Sequence, residues 1–394
     1  MNDRRVLIVG AGVAGLSAAW WLAEAGWRVF VVERAANLRD GGYVMGLSGP
    51  GLAIAGRMGI LPALESAART INENIYYNSQ GREILRLRYR DFLKDLPYIA
   101  LQRTDLVAAL AKLVQGKVEI RYELEVEGVE QGNDSATVVL SNGGREEVDL
   151  VIGADGTRSA LRRLLFGPDE AFMKPLGCRF AAYDIPDDLN IGADFLSYAE
   201  PGHLAEYYTV SGDRLAALQV WRSEKGGFVP PERRWDLLLD VASSSFPAVR
   251  EMIGIGRKWE AIPIVDDLAL VDMPKWSQGR VVLVGDAAHC MTLLSGQGAG
   301  IALASVEILA KELSEHPLSE ALARHELRLR PAIVKLQERS RRMAAVFIPS
   351  SRISFHLRNV MLRYMPRYLL RRYFLNSVRS EIVASEALVL PASP

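Results

Sequence analysis

Val6-Leu7-Ile8-Val9-Gly10-Ala11-Gly12-Val13-Ala14-Gly15 lies near the start of the chain, and its reading decides the fold. The four apolar residues read as a buried parallel strand. The glycines follow at once, and Val13–Ala25 then reads as a helix stopped by Gly26. A second strand, Val29–Glu33, completes a βαβ unit, which implies a parallel sheet with right-handed crossovers. Gly10 permits the tight turn, Gly12 lets the backbone approach a pyrophosphate, and Gly15 allows helix and strand to pack closely. The helix start at Val13 and Ala14 offers unpaired N–H groups and a partial positive charge to phosphates. Glu33, followed by Arg34, stands 18 residues after Gly15, where a carboxylate accepts hydrogen bonds from a ribose. Its charge argues against a 2′-phosphate there, since two negative groups repel. Taken alone, the motif leaves open a turn of purely structural glycines, and it does not separate one dinucleotide from another.

The chain has 394 residues, 49% of them hydrophobic. At roughly 100–200 residues per domain this suggests two domains, or three if small. Net charge is zero and the pI is near 7.0, so nothing global points to nucleic acid. Two cysteines, Cys178 and Cys290, exclude a disulfide-stapled scaffold and read as free thiols. The first apolar run is too short for a signal peptide, and no uncharged stretch of about 18 apolar residues occurs. The expectation is a soluble, cytoplasmic protein. His203, His316, His325 and His356 are scattered without ligand spacing, so no metal site is expected.

The middle of the chain changes character. From about Ile75 to Arg90, and again from about Cys178 to Val271, short aromatic and β-branched runs are separated by Gly, Asp and Pro turns. They read as an antiparallel sheet. A second motif, Val151-Ile152-Gly153-Ala154-Asp155-Gly156-Thr157-Arg158-Ser159, is a buried strand breaking at Asp-Gly into a helix containing Arg162 and Arg163. Its plainer reading is a strand followed by a capped helix. A third runs from Val281-Val282-Leu283-Val284-Gly285-Asp286-Ala287-Ala288-His289 to Ser295-Gly296-Gln297-Gly298-Ala299-Gly300. An acidic residue at a parallel strand end accepts hydrogen bonds from a chain of hydroxyls. A glycine-rich helix start presents N–H donors to developing negative charge.

Together the three motifs resemble those of the class A flavoprotein monooxygenases, with the p-hydroxybenzoate hydroxylase-like fold. Within that group the chain is similar to the shorter salicylate hydroxylase-like and tetracycline-inactivating members. Gly41-Gly42-Tyr43-Val44-Met45-Gly46-Leu47 with Arg57-Met58-Gly59-Ile60 is similar to the segment passing the flavin, and Arg103 matches an arginine that contacts the FAD linker. The resemblance covers nearly all of the chain to about Leu313. It implies bound FAD on Gly10, Gly12, Val13, Ala14, Gly15, Glu33, Arg34, Arg103, Asp155, Gly285, Asp286, Gly296, Gln297, Gly298 and Ala299. Asp286 would sit at the ribityl or pyrophosphate region, beneath a β-sheet that roofs the isoalloxazine. NADPH or NADH would act as transient reductant, and O2 would form a C4a-hydroperoxide that oxygenates an electron-rich substrate.

The chain departs from the family in places. A proline usually lies between the histidine and the Gly-Gln-Gly, and here Leu293 takes that position. Proline fixes φ, so the loop beside the flavin is expected to differ in shape. His289 is a weak candidate general base, and the preferred reading is a packed, hydrogen-bonded side chain near the cofactor loop. Trp259-Glu260-Ala261-Ile262-Pro263 reads as ordinary strand. From Arg341 to Arg372 there is no acidic residue, while Arg341, Arg342, Arg352, Arg358, Arg363, Arg367, Arg371 and Arg372 occur. Ile353, Leu357, Val360 and Tyr364 recur there at helical spacing. Such a segment fits contact with an anionic membrane surface, but the preferred reading is a helix packed across two domains.

The expected architecture is α/β. A Rossmann-like FAD-binding domain (1–72, 98–175 and 274–345) is interrupted by a mostly antiparallel β-sheet substrate domain (73–97 and 176–273). A helical segment, 346–394, follows. The leading expectation is an FAD-dependent, NAD(P)H-driven monooxygenase acting on an aromatic or polyketide-like small molecule. The alternatives are a reductase or dehydrogenase of a lipid or isoprenoid without oxygen insertion, and a non-catalytic FAD or small-molecule binding protein.

Overall fold

The computed structural model describes residues 4–38, 43–69, 71–89, 97–187, 195–211, 214–224, 226–259, 261–293, 296–349, 351–366, 368–369 and 372. Gly41, Gly42, Glu260, Ser295, Arg367 and Arg371, named above, lie outside the described residues. In chain order the first elements are β1 (Arg5–Val9), α1 (Val13–Glu24), β2 (Arg28–Val32), β3 (Val44–Ser48), α2 (Pro50–Arg57) and α3 (Leu61–Ala67). Next come β4 (Glu73–Tyr77), β5 (Glu83–Arg88), β6 (Tyr98–Gln102), α4 (Arg103–Val114) and β7 (Glu119–Arg121). A third group is β8 (Val126–Gln131), β9 (Ala136–Leu140), β10 (Arg145–Val148), β11 (Leu150–Gly153), α5 (Ala160–Leu165) and α6 (Asp169–Phe172). The long sheet strands follow: β12 (Met173–Pro186), β13 (Phe195–Glu200), β14 (His203–Ser211) and β15 (Arg214–Arg222). Then come α7 (Arg234–Val241), α8 (Pro247–Lys258), β16 (Ile264–Val271), β17 (Ser277–Gln278), β18 (Val281–Leu283) and α9 (Asp286–His289). The last described elements are α10 (Gly298–Glu315), α11 (Leu318–Phe347) and α12 (Arg352–Tyr364).

The βαβ reading of the first residues is what forms. β1 lies between β2 and β11, parallel to both, in a six-stranded sheet ordered β17-β18-β11-β1-β2-β7. Its residues Val6, Leu7 and Ile8 are fully buried, as continuous apolar strands of a parallel sheet covered on both faces must be. One face packs on α1, α4 and α10 through Leu16, Leu106 and Leu303. The other meets Val138, Trp276 and Leu329, from β9, the loop before β17, and α11. The β8–β9–β10 antiparallel sheet, between the first and second motifs, has no counterpart in the sequence reading.

A seven-stranded sheet, ordered β16-β12-β15-β14-β13-β4-β5, gathers strands from both aromatic-rich stretches. It is mostly antiparallel, but β4 runs parallel to β13. Two helices, α7 and α8, interrupt the stretch read as continuous strand, and they cover one face of this sheet. Val249, Met252, Ile253 and Gly256 are the buried residues of α8, spaced as one helical stripe. Trp259 caps the end of α8 and strand resumes only at Ile264. The strand expected over 259–263 is therefore corrected: Trp259 continues the helix, donating its N–H to Ile255 O at 2.9 Å. The opposite face of the sheet turns toward the parallel sheet.

Candidate active site

At the carboxyl ends of β1, β11 and β18 the chain leaves the sheet three times, at Gly10, Ala154 and Gly285. Gly10 adopts φ +103°, a region L side chains avoid. A Cβ there would lie 2.6 Å from Ala154 O, and one on Gly15 would lie 1.8 Å from Gly10 O. Both glycines are thus required by packing behind the turn. Gly12 differs, since its Cβ position is 3.7 Å from Arg103 Nη2, its one close neighbour. Around Gly296 and Gly298 a Cβ would meet nothing within 4 Å. These three open positions face one cleft. Gly12, Val13, Ala14, Arg103, Asp286, Gly296, Gly298 and Ala299 all line it.

The remaining expected residues stand around this lining. Glu33 accepts hydrogen bonds from the Ala11 and Ala35 amides, at 2.8 and 3.0 Å. It braces the glycine turn against the end of β2, and each oxygen keeps a further lone pair. Arg34 is exposed beside it. Asp155 accepts from the Leu161 amide through Oδ2 at 3.1 Å, while its buried Oδ1 has no partner. Gly285, at φ +58°, brings α9 against Ala14 of α1. Gln297 is buried and donates to Ser48 Oγ at 3.1 Å, bracing the loop on β3. It is absent from the cleft lining.

Asp286 occupies the first position of α9, and its carboxyl surface is open to the cleft while protein encircles it. Burial raises its pKa, and the nearby Arg103 guanidinium opposes the rise. Tyr43 is shifted upward by burial too, with Arg103 again opposing. Arg103 opens α4, its amide donating to Tyr43 O at 3.3 Å. A capping box between Gln102 and Asp105 holds that helix start. Neither α1 nor α10 carries an acidic residue in its first turn, which keeps both positive ends directed at the cleft undiminished.

His289 does not reach the cleft. It is buried on the far side of α9, where its Nε2 lies 3.4 Å from Ser305 Oγ, and its ring is 4.9 Å from Trp276. His325 meets the same hydroxyl at 3.1 Å. Burial lowers the pKa of His289 to about 4 and that of His325 to about 3. His289 is thus a packed, hydrogen-bonded side chain of α9, turned away from the cleft lining.

Several functional positions were missed. Arg162 is fully buried and donates to Ala287 O at 3.0 Å and Thr157 O at 2.7 Å. It thereby fastens the second motif to the third. Thr292 lines the cleft at φ +68°, immediately before Leu293. The loop lacking the usual proline thus holds a side chain in the left-handed region, which costs free energy. Alternation along β14 puts Glu206 and Tyr208 on one face. Tyr208 packs there with Tyr43, Val44, Phe180 and Leu293, all lining residues. Glu206 is buried, and its Oε1 accepts from Ser197 Oγ at 3.0 Å and Asn74 Nδ2 at 3.4 Å. Burial raises its pKa, and the hydrogen bonds from Ser197 and Asn74 oppose the rise. The aromatic spacing hid this carboxyl inside an ordinary strand pattern.

Among the described residues no group of His, Cys, Asp and Glu is placed to hold a metal ion. The cleft instead offers helix starts for phosphates, acidic strand ends for hydroxyls and a sheet face for a ring system. Those features fit FAD, and this architecture is that of the FAD-dependent oxidoreductases. The chain belongs to the family described as FAD binding domain, whose model matches residues 3–222 and 266–324, and which here includes flavoprotein monooxygenases. "Uncharacterized protein Rv1260" of Mycobacterium tuberculosis (strain ATCC 25618 / H37Rv) is 34% identical over 328 residues, covering 79% of this chain and 85% of that one. A "Flavin-dependent monooxygenase" of an unknown prokaryotic organism is 29% identical over 349 residues, covering 84% and 87%. The crystal structure of tetracycline destructase Tet(55) superposes with a TM-score of 0.82 at 25% identity, covering 98% of each chain.

Proposed function

We propose that this flavoenzyme uses NAD(P)H and O2 to hydroxylate an aromatic or polyketide-like small molecule lying between the cleft and the seven-stranded sheet. The observation carrying this reading is the sheet face turned to the cleft, where Phe180 and Leu268 line it within a layer that also contains Phe195 and Tyr208. Such an apolar, aromatic layer suits a flat ring system. Likeness to an enzyme called a tetracycline destructase supports a polycyclic substrate.

In this reading the α1 start at Gly12, Val13 and Ala14 holds the pyrophosphate. Glu33 receives the ribose hydroxyls, Asp286 and Arg103 hold the linker, and the α10 start at Gly298 and Ala299 faces the ring system. Bound FAD supplies the electron transfer and oxygen activation that no side chain provides. The protein's own part is orientation and exclusion of water.

The test is turnover of aromatic and polycyclic candidates with NADPH or NADH under ¹⁸O2, read by mass spectrometry. Incorporation of one labelled oxygen into product is expected. Product formed without label and without oxygen consumption sinks the monooxygenase reading in favour of a dehydrogenase. Phe180→Ala, which removes an aromatic side chain from the cleft lining, is expected to raise KM about tenfold with kcat changed less.

A further inference from the structure

The C-terminal helix α12 packs by one face on β5 and on the seven-stranded sheet. Phe355 is its buried anchor, 5% exposed, set in the layer that also contains Tyr208 and Leu293. Ile353 (81% exposed), Leu357 (68%), Val360 (54%), Met361 (49%) and Tyr364 (75%) stand in solvent. At 100° per residue these five fall within an arc of about 100°, a single apolar stripe. Beyond the helix, Tyr368 is also exposed, at 70%.

Its charge is one-sided. From Arg339 to Ser380 the sequence has ten arginines and no Asp or Glu. Arg352 and Arg363 are exposed on the flank of the stripe, with no ion pair among the described residues. A protein-facing stripe of this kind is ordinarily bordered by both signs. A stripe whose bordering charges are all arginine matches a surface that is apolar within and negative at its rim.

We infer that α12 is a docking surface for an anionic lipid bilayer. The helix lies in the interface with Ile353, Leu357, Val360, Met361 and Tyr364 among the acyl chains, and Arg352 and Arg363 at the headgroups. Among the described residues no helix is long and apolar enough to cross a membrane, so the attachment is peripheral. Through Phe355, the docked helix rests on the same layer that faces the cleft. An apolar substrate dissolved in the bilayer would therefore meet the enzyme one layer from its cleft.

The test is flotation of the full-length, FAD-loaded protein with vesicles of phosphatidylcholine containing about one third phosphatidylglycerol. Co-flotation at about 50 mM salt is expected, weakened several-fold at about 0.5 M and absent with pure phosphatidylcholine. Leu357→Glu with Tyr364→Glu is expected to reduce binding at least about tenfold. Both side chains are exposed, so melting temperature and flavin absorbance should stay unchanged in that variant. Arg352→Gln with Arg363→Gln should remove most of the salt dependence. No flotation of the unaltered protein, or equal flotation of the glutamate variant, overturns the inference. So does a homodimer seen by light scattering that the glutamate variant dissolves, which assigns the stripe to a second copy.

Discussion

The Val44 amide donates a hydrogen bond of 2.7 Å to Tyr208 Oη, joining the strand that borders the cleft to the sheet above it. Burial pushes the Tyr208 phenol well above its ordinary range, so it stays a neutral acceptor at all working pH values. Removing it leaves a partly buried amide without this partner, which costs about 1 kcal/mol. Tyr208→Phe should therefore lower the melting temperature by several degrees. It should also increase the fraction of NAD(P)H consumed without product, measured as the ratio of nicotinamide oxidised to product formed. Unchanged coupling would show that the bond only stabilises.

Two glycines of one motif should fail differently. A methyl at Gly15 meets backbone oxygen at 1.8 Å, whereas one at Gly12 meets an arginine tip at 3.7 Å. Gly15→Ala is expected to leave little soluble, folded protein. Gly12→Ala should melt as the parent does without flavin, yet bind FAD about 10–100-fold more weakly, since the methyl intrudes where phosphate approaches. Flavin-fluorescence titration separates the two outcomes, and equal FAD affinity in the Gly12 variant would contradict the assignment.

Asp286 is held for function against stability. Its pKa is raised by burial, so the folded state binds its proton more tightly than the unfolded chain does. The sign is then fixed: the ionised group destabilises the fold above the unfolded value near 3.9, and the cost vanishes below it. Asp286→Asn should raise the melting temperature of the flavin-free protein at pH 7 by about 1–3 °C, with no gain below about pH 4. It should meanwhile weaken FAD binding. A variant less stable at pH 7 would sink this account.

His289 and His325 titrate with the opposite consequence. Burial depresses them to about 4 and about 3, so the unfolded chain binds more protons below its own value near 6.5. Their contribution is complete above about pH 6.5 and is lost progressively as pH falls toward those folded values. Replacing His325 by Gln should lower stability at pH 7 but flatten the decline between about pH 6.5 and pH 4. Melting curves of parent and variant running parallel through that window would rule this out.

The residues that were legible in the sequence are those whose role is local. Gly10, Gly15, Glu33 and Asp286 sit at strand ends within a few residues of their partners or their helix, and spacing alone marks them. Arg162 was not legible, because its partners Thr157 and Ala287 include one more than a hundred residues away. Glu206 was hidden by alternation, which reports a strand but not which face turns to the cleft. The α8 stripe of Val249, Met252, Ile253 and Gly256 was readable at helical period, with Pro247 at its start, but the aromatic runs around it outweighed it. For α12 the periodicity was read correctly. Only the exposure of Ile353 and Tyr364 showed that the stripe faces outward.

The order β18-β11-β1-β2 also sets when the cofactor cradle comes into being. During synthesis the glycine turn leaves the ribosome well before β18, so its sheet lacks that strand until about residue 283 has emerged. Pairings this distant in sequence form late and slowly. Until then the β11 edge and the apolar faces of the sheet stand open to aggregation.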